Sequence, residues 1–204
     1  MPSVHALLGA LVVVCWGVFA VVWVGGALYN VRRAPRTQRR SLGGSVWFLV
    51  ALPVWVVARH ALGIDSARIE SLSLHEEPDA VRLLGAALLV VATGFTLWAR
   101  VVLGTMWSSS PVAKRGHVLR TGGPYSVTRH PIYTGILGMV LGSAIALDFG
   151  VWVYVLGLVA VFIELRIRSE ERLLSETFPG AYDEYRRRVP QLIPGLRRLS
   201  SSGS

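Results

Sequence analysis

Hydrophobic positions in this chain fall in long blocks, without the strict alternation of a half-buried strand. Val4 to Tyr29 contains no Asp, Glu, Lys or Arg, and neither does Leu42 to Ala58. A third block, Leu83–Ala99, holds Gly85, Gly94 and Thr96, small residues that membrane helices admit. The stretch from Pro131 to Ile163 is longer than one crossing needs, since at 1.5 Å per residue it would reach about 50 Å. Asp148-Phe149-Gly150 interrupts it and predicts two short helices joined by a tight turn. Spans of about 20 apolar residues match a bilayer core of about 30 Å. The expectation is an all-α integral membrane bundle of five transmembrane helices, about 4–29, 42–58, 83–99, 132–147 and 151–163. The last two form a short helical hairpin, followed by a cytoplasmic C-terminal helical segment, and residues 1–204 make a single membrane domain.

Composition supports this reading. Of the 204 residues, 52% are hydrophobic and only 16% charged, where a soluble chain carries roughly 25%. A water-soluble domain, a disordered chain and collagen are excluded. The single cysteine, Cys15, can form no internal bridge and reads as a packing residue of the first block. A net charge of +9 would suggest nucleic acid in a soluble protein, but here the placement of the charges decides. Arg32, Arg33, Arg36, Arg39 and Arg40 follow the first block, and Arg100, Lys114, Arg115, Arg120 and Arg129 lie between the third and fourth. Arg166, Arg168, Arg172, Arg186, Arg187, Arg188, Arg197 and Arg198 follow the fifth. The segment between the second and third blocks instead carries Asp65, Glu70, Glu76, Glu77 and Asp79 against fewer arginines. The positive-inside rule then predicts a multi-pass protein of the cell or an intracellular membrane, N-terminus outside and C-terminus in the cytoplasm. Its expected partner is the lipid bilayer, with no nucleic acid. The first block reads as a retained anchor, because its basic cluster follows the apolar run, the reverse of a secretory signal.

Two of the basic segments carry candidate chemistry. In the first, Gly122-Gly123-Pro124 is a turn, and Pro131 suits the first position of a helix, where its missing N–H costs nothing. Arg129, His130 and Tyr133 then collect at a helix N-terminus, whose free N–H groups and positive dipole end favour an anion. Anchoring at the membrane interface is the plainer explanation of the same residues. In the second segment, Leu165, Leu173, Leu174 and Phe178 can line one side of a helix that continues out of the membrane. Arg166 and Glu170 are four apart and share a face, which by itself makes an ordinary helix-stabilising pair. Gly138 and Gly142 have the spacing that lets helices approach closely, within the bundle or between two copies. No His or Cys spacing suggests a metal site.

Taken together, Gly-Pro-Tyr…Arg-His-Pro-x-Tyr-x-Gly, followed about 35 residues on by Glu-Glu-x-x-Leu…Phe-x-Gly-x-Tyr-x-x-Tyr, resembles the isoprenylcysteine carboxyl methyltransferase family. That family stands with the phospholipid methyltransferases among membrane enzymes that use S-adenosylmethionine. The resemblance covers roughly Leu103 to Pro194, with the cofactor site expected from 103–135 and 164–194. Phe178-Pro179-Gly180 has one residue more than the family's usual Phe-Gly, and Arg120 replaces a small apolar residue. The resemblance implies cofactor contacts from His117, Val118, Leu119, Arg120, Tyr125, His130, Pro131, Ile132, Tyr133 and Glu170. It implies that Arg166 is the catalytic residue facing the methyl acceptor. Arg168 is a weaker substrate-binding candidate, and Arg129 and Glu171 are additional candidates.

Those residue types suit S-adenosylmethionine, whose positive part needs an acid such as Glu170 or Glu171. Helix N–H groups and His130 suit its carboxylate, and Tyr125 and Tyr133 could cover the adenine or the sulfonium face. A carboxylate acceptor is already ionised and needs no base, so Arg166 would hold it by bidentate bonds. An amine acceptor would need a base, for which Glu171 or His130 would serve. The leading expectation is carboxyl O-methylation of a prenylated or other lipidic acceptor. Behind it stand N-methylation of a phospholipid amine, then a non-catalytic membrane scaffold or lipid-binding protein. The sequence leaves the oligomeric state open.

Overall fold

The computed structural model describes residues 4–33, 37–40, 55, 78–104, 112–114, 119–147 and 149–193. Its elements run α1 (Val4–Arg33), β1 (Thr37–Arg40), α2 (Asp79–Leu103), β2 (Val112–Lys114), α3 (Pro124–Val127), α4 (Pro131–Ala146), α5 (Gly150–Thr177) and α6 (Ala181–Arg188). Helices thus carry the fold, as the apolar blocks predict. The second predicted block, 42–58, lies outside the described residues except for Trp55.

α1 and α2 are each long and apolar enough to cross a membrane, and α4 is a shorter apolar helix. Their outward faces are apolar too. Val21, Leu84, Val91, Val101 and Val161 are all well exposed, which in water would be a large sticky surface and in lipid is an ordinary one. This is a membrane protein. α2 overruns the predicted 83–99 at both ends because Asp79 favours the first helical turn and Arg100 the last. α4 starts with Pro131 at its first position, as expected.

The fifth block and the segment after it form one helix. α5 runs 28 residues, about 42 Å at the usual rise, so its second half extends beyond the apolar stretch. Its buried stripe is Trp152, Val155, Val159, Ile163 and Ile167, at helical spacing, with Arg166 buried beside it. This corrects one expectation: Leu165 does not join that side and is 61% exposed. Helix rotation places it away from Ile163 and Ile167, while Leu173, Leu174 and Phe178 remain half-buried.

The tightest packing is between α2 and α4, which run antiparallel. A side chain at Gly142 would meet the Leu89 nitrogen at 2.6 Å and the Gly85 carbonyl at 2.8 Å. Further along, one at Gly135 would strike the Thr96 hydroxyl. Lipid gives no hydrophobic drive for helices to meet, so close backbone approach through small residues has to supply the contact. Gly142 and Gly138, whose added carbon would meet Ala92 at 2.9 Å, therefore pack inside the bundle. α1 joins through an aromatic contact, Trp16 stacking on Trp152 of α5 at 6.3 Å, while Phe19 stacks on Trp23 within α1 at 4.4 Å. Trp16 also donates its indole N–H to the Ser143 hydroxyl at 3.1 Å. Cys15 is buried in this core, as expected of a packing residue.

α1 meets α4 near Ser143, level with Leu89 of α2, and Gly26 meets the Arg100 guanidinium further on. α1 and α2 therefore run parallel, and both end where α4 begins. The chain adds one feature to the all-helical expectation at this end. β1 and β2 pair antiparallel, Thr37 opposite Lys114 and Arg40 opposite Val112, with an irregularity near Thr37. Thr37-Gln38-Arg39-Arg40 has no strand-like alternation, so the ribbon comes from tertiary placement of the two loops.

Replacing Gly142 by Ala is expected to lower stability in detergent by about 1–3 kcal/mol through overpacking, read as a drop in Tm. Gly157→Ala, where nothing lies within 4 Å, is the control and should leave Tm unchanged or slightly higher. Equal Tm values for the two variants would overturn this account of the α2–α4 contact.

Candidate active site

The functional candidates gather where α4 begins and α5 leaves the apolar core. Gly122-Gly123-Pro124 does turn the chain, with Gly123 in the left-handed region at φ 61°, and Pro124 opens α3. His130 stands at the N-cap of α4, immediately before Pro131. Tyr133, one turn in, stacks its ring on the His130 imidazole at 5.8 Å and 24° between planes.

α5 brings three charged groups to this point, Arg166, Glu170 and Glu171. Arg166 is buried, with 2% of its side chain exposed. Its Nε donates to the Tyr133 hydroxyl at 2.5 Å, and its Nη2 meets Glu170 Oε1 at 3.0 Å. The Tyr133 hydroxyl in turn donates to the same Glu170 oxygen at 2.6 Å. The sequence pair Arg166–Glu170 is therefore closed into a triangle by a residue from another helix. Glu170 Oε2 points to His130 Nδ1 at 3.7 Å, too far for a hydrogen bond.

Glu171, the next residue on α5, turns to a different set. Its Oε1 accepts from Arg129 Nε at 3.0 Å and Nη2 at 2.8 Å, and lies 3.2 Å from His130 Nε2. Burial by itself would raise this carboxyl, but His130 and Arg129 outweigh it and bring it from an ordinary 4.5 to about 2. The anion at the start of α4 is thus the chain's own Glu171, and not only a ligand group as the dipole argument suggested.

A third layer comes from beyond α5. Gly180, at φ 78°, allows the reversal between α5 and α6 that a side-chain-bearing residue would resist. α6 then buries Tyr182 and Tyr185, three apart on one face. The Tyr185 hydroxyl donates to the Tyr125 carbonyl at 2.6 Å, and the Tyr125 hydroxyl reaches the Ala99 carbonyl at 3.5 Å. Burial, and then the neighbouring Glu171 carboxylate, push the Tyr182 phenol upward and keep it protonated. The segment after α6 lies against the start of α4, where Thr128 and Thr134 donate to the Gln191 and Leu192 carbonyls, each at 2.7 Å.

Of the residues picked out from the sequence, Arg129, His130, Tyr133, Arg166, Glu170 and Glu171 meet in one connected cluster. Pro131 and Ile132 are buried in the first turn of α4, and Tyr125 is tied to α6 by the Tyr185 hydroxyl. Leu119 is half-buried and Arg120 exposed, before the turn. His117 and Val118 lie outside the described residues. Arg168 stays apart: its side chain is 69% exposed and pairs with Glu164 at 2.9 Å. Sequence reasoning passed over Thr128, Thr134 and the carbonyls of residues 186–192. No residue-type signal marks a backbone carbonyl, and two threonines in a loop are too common to notice.

The model of the family described as phospholipid methyltransferase matches residues 80–181, half of the chain. The chain belongs to the phospholipid methyltransferase family. Among its relatives, the nickel-cobalt-cadmium resistance protein NccN of Alcaligenes xylosoxydans xylosoxydans is 30% identical over 72% of this chain and 71% of its own length. The protein-S-isoprenylcysteine O-methyltransferase of Schizosaccharomyces pombe is 36% identical over 47% of this chain and 42% of its own. Methanethiol S-methyltransferase 2 of Bradyrhizobium diazoefficiens is 36% identical over 40% of this chain and 30% of its own. The match to each of the two named methyltransferases thus spans less than half of that relative. The matched family region of this phospholipid methyltransferase family member begins with α2 and ends at the start of α6, so it contains every member of the cluster.

The Glu171 carboxyl ties its ionisation to stability. Because its folded value lies below the unfolded one, it stabilises the protein above about pH 4.5 and loses that contribution as pH falls toward 2. Glu171→Gln should therefore have a flatter acid limb than wild type between pH 4.5 and 2, measured by thermal unfolding in detergent. Identical acid limbs would overturn the assignment.

Proposed function

We propose that this protein methylates the carboxylate of an isoprenylcysteine-like or other lipidic acceptor, with S-adenosylmethionine as donor, at the cytoplasmic end of a multi-pass bundle. One observation carries the reading: Glu170 is fixed through Oε1 by Arg166 and Tyr133, while among the described residues Oε2 has only His130 nearby, beyond bonding distance. A carboxylate held on one oxygen and available on the other suits a cationic ligand. The side chain is 22% exposed, so it is reachable, and the stacked rings of Tyr133 and His130 stand beside it.

When bound, S-adenosylmethionine would supply an electrophilic methyl group on a sulfonium. Glu170, Tyr125, His130, Pro131, Ile132 and Tyr133 would hold it, with His117, Val118, Leu119 and Arg120 as further candidates. Arg166 would face the acceptor carboxylate as a fixed positive charge. A carboxylate nucleophile is ionised already, so the chain's task is to align the partners and exclude water.

An amine acceptor would require a base, and Glu171 is poorly suited to that role. It is held ionised to about pH 2 by Arg129 and His130, so it takes up a proton weakly near neutrality. That leaves His130 as the base an amine acceptor would need, whereas a carboxylate acceptor needs none. The orientation follows from charge: the basic segments flank the shared end of α1, α2 and α4, and the positive-inside rule assigns that end to the cytoplasm. The parallel course of α1 and α2 supports a return crossing between them.

Calorimetric titration of the detergent-solubilised protein with S-adenosylhomocysteine is expected to show saturable binding, lost in Glu170→Ala. With radiolabelled methyl donor, a farnesylcysteine carboxylate should gain a base-labile methyl ester, and phosphatidylethanolamine should gain no label. Absence of binding by folded wild type would remove the enzyme reading, and label on the amine lipid alone would reverse the choice of acceptor.

A further inference from the structure

Arg129 is engaged by the chain on every side. Its Nε and Nη2 donate to Glu171 Oε1. Its Nη1 donates to the Arg186 carbonyl at 3.0 Å and the Val189 carbonyl at 2.7 Å. Its backbone N–H donates to the Pro190 carbonyl at 2.9 Å, and that of His130 to the Gln191 carbonyl at 3.2 Å. With Thr128 and Thr134 on the Gln191 and Leu192 carbonyls, the segment is strapped to the start of α4 by carbonyls of residues 186 and 189–192. A guanidinium with this many internal acceptors has a rigid fork geometry that a lysine could not reproduce.

The same arrangement decides the state of His130. Glu171 is ionised and can only accept hydrogen bonds. Its 3.2 Å contact with His130 Nε2 is therefore attractive only when Nε2 carries the hydrogen. In the neutral ring the lone pair then sits on Nδ1, which faces Glu170 Oε2. The Tyr133 ring, stacked on the imidazole, restricts its tilt.

We infer that Arg129 and Glu171 form a positioning pair, which holds His130 in its Nε2–H form with Nδ1 turned toward Glu170 and latches residues 186–192 across the start of α4. The inference rests on the methyl-transfer reading for its purpose. Neither residue touches the reacting groups in this role; Glu171 acts through the His130 ring, and Arg129 through Glu171 and the strap. Two adjacent glutamates on one helix thus divide the work, Glu170 meeting the ligand and Glu171 fixing the residue beside it.

The test uses the full chain in detergent with histidine labelled by nitrogen-15, the His130 signals being assigned from a His130→Asn spectrum. In wild type, His130 is expected as the Nε2–H form whenever it is neutral. In Glu171→Gln that preference should be lost, and S-adenosylhomocysteine affinity should fall by about tenfold, the worth of one charge-assisted hydrogen bond. In Arg129→Lys the amides of Arg129 and His130, which donate to the strap, should exchange hydrogen faster. If Arg129→Lys fails to fold, Thr128→Val removes the Thr128 bond to Gln191 and should give the same acceleration. A dominant Nδ1–H form in wild type, or an unchanged tautomer in Glu171→Gln, overturns the inference even if the cofactor analogue binds. Both signatures in a wild type that binds no S-adenosylhomocysteine would support the pair and sink the methyl-transfer reading.

Discussion

A buried guanidinium must be answered by the protein, and within the polar cluster at the end of this bundle Arg166 is buried. Leaving it unpaired would cost on the order of 3–5 kcal/mol. Glu170, one turn on, supplies the charge, and Tyr133 of α4 closes the set by accepting from Arg166 while donating to Glu170. Because Tyr133 comes from a second helix, satisfying Arg166 also fixes the height of α4 against α5. The stacked His130 is brought into position by the same contact. Glu171, rotated about 100° further around the helix, then meets Arg129 and His130, and through Arg129 the segment after α6.

The apolar part of the bundle makes such precision possible. Glycines at 85, 135 and 142 let α2 and α4 come close enough for backbone contact, and Trp16 locks α1 to α4 through Ser143. These contacts are short-ranged and directional, so they set helix register where lipid solvation would set none. A rigid set of helices can hold the polar cluster at its rim. The cluster in turn closes the polar end, where α6, the strap and α3 meet through Tyr185 and Tyr125.

Much of this was legible in the chain. The first, third, fourth and fifth apolar blocks gave helices, Pro131 gave the start of α4, and the Arg166–Glu170 spacing gave one side of the triangle. Tyr182 and Tyr185 stood out only as the Tyr-x-x-Tyr of the family motif. Tyr133 as third partner was not readable as such, since nothing local sets the distance between residues 33 apart in sequence. Arg168 has the same spacing to Glu164 as Arg166 has to Glu170, yet it is exposed and lies apart from the cluster. Only the rotation of α5 against its neighbours separates the two arginines. The β1–β2 ribbon was equally hidden, because backbone pairing of two short loops leaves no mark on residue type.

What the sequence determined by itself is what acts over a few residues or by composition: helical spans, their lipid-facing character, the family motifs and the charge-rich segments. Period and transfer free energy are local properties, and they survive in any arrangement of the helices. Tertiary structure decided which polar groups answer which. It set Glu170 on Arg166 and Tyr133, Glu171 on Arg129 and His130, and the carbonyls of residues 186–192 against the start of α4. Those choices depend on distances of a few ångströms between elements far apart in the chain, and only packing fixes such distances.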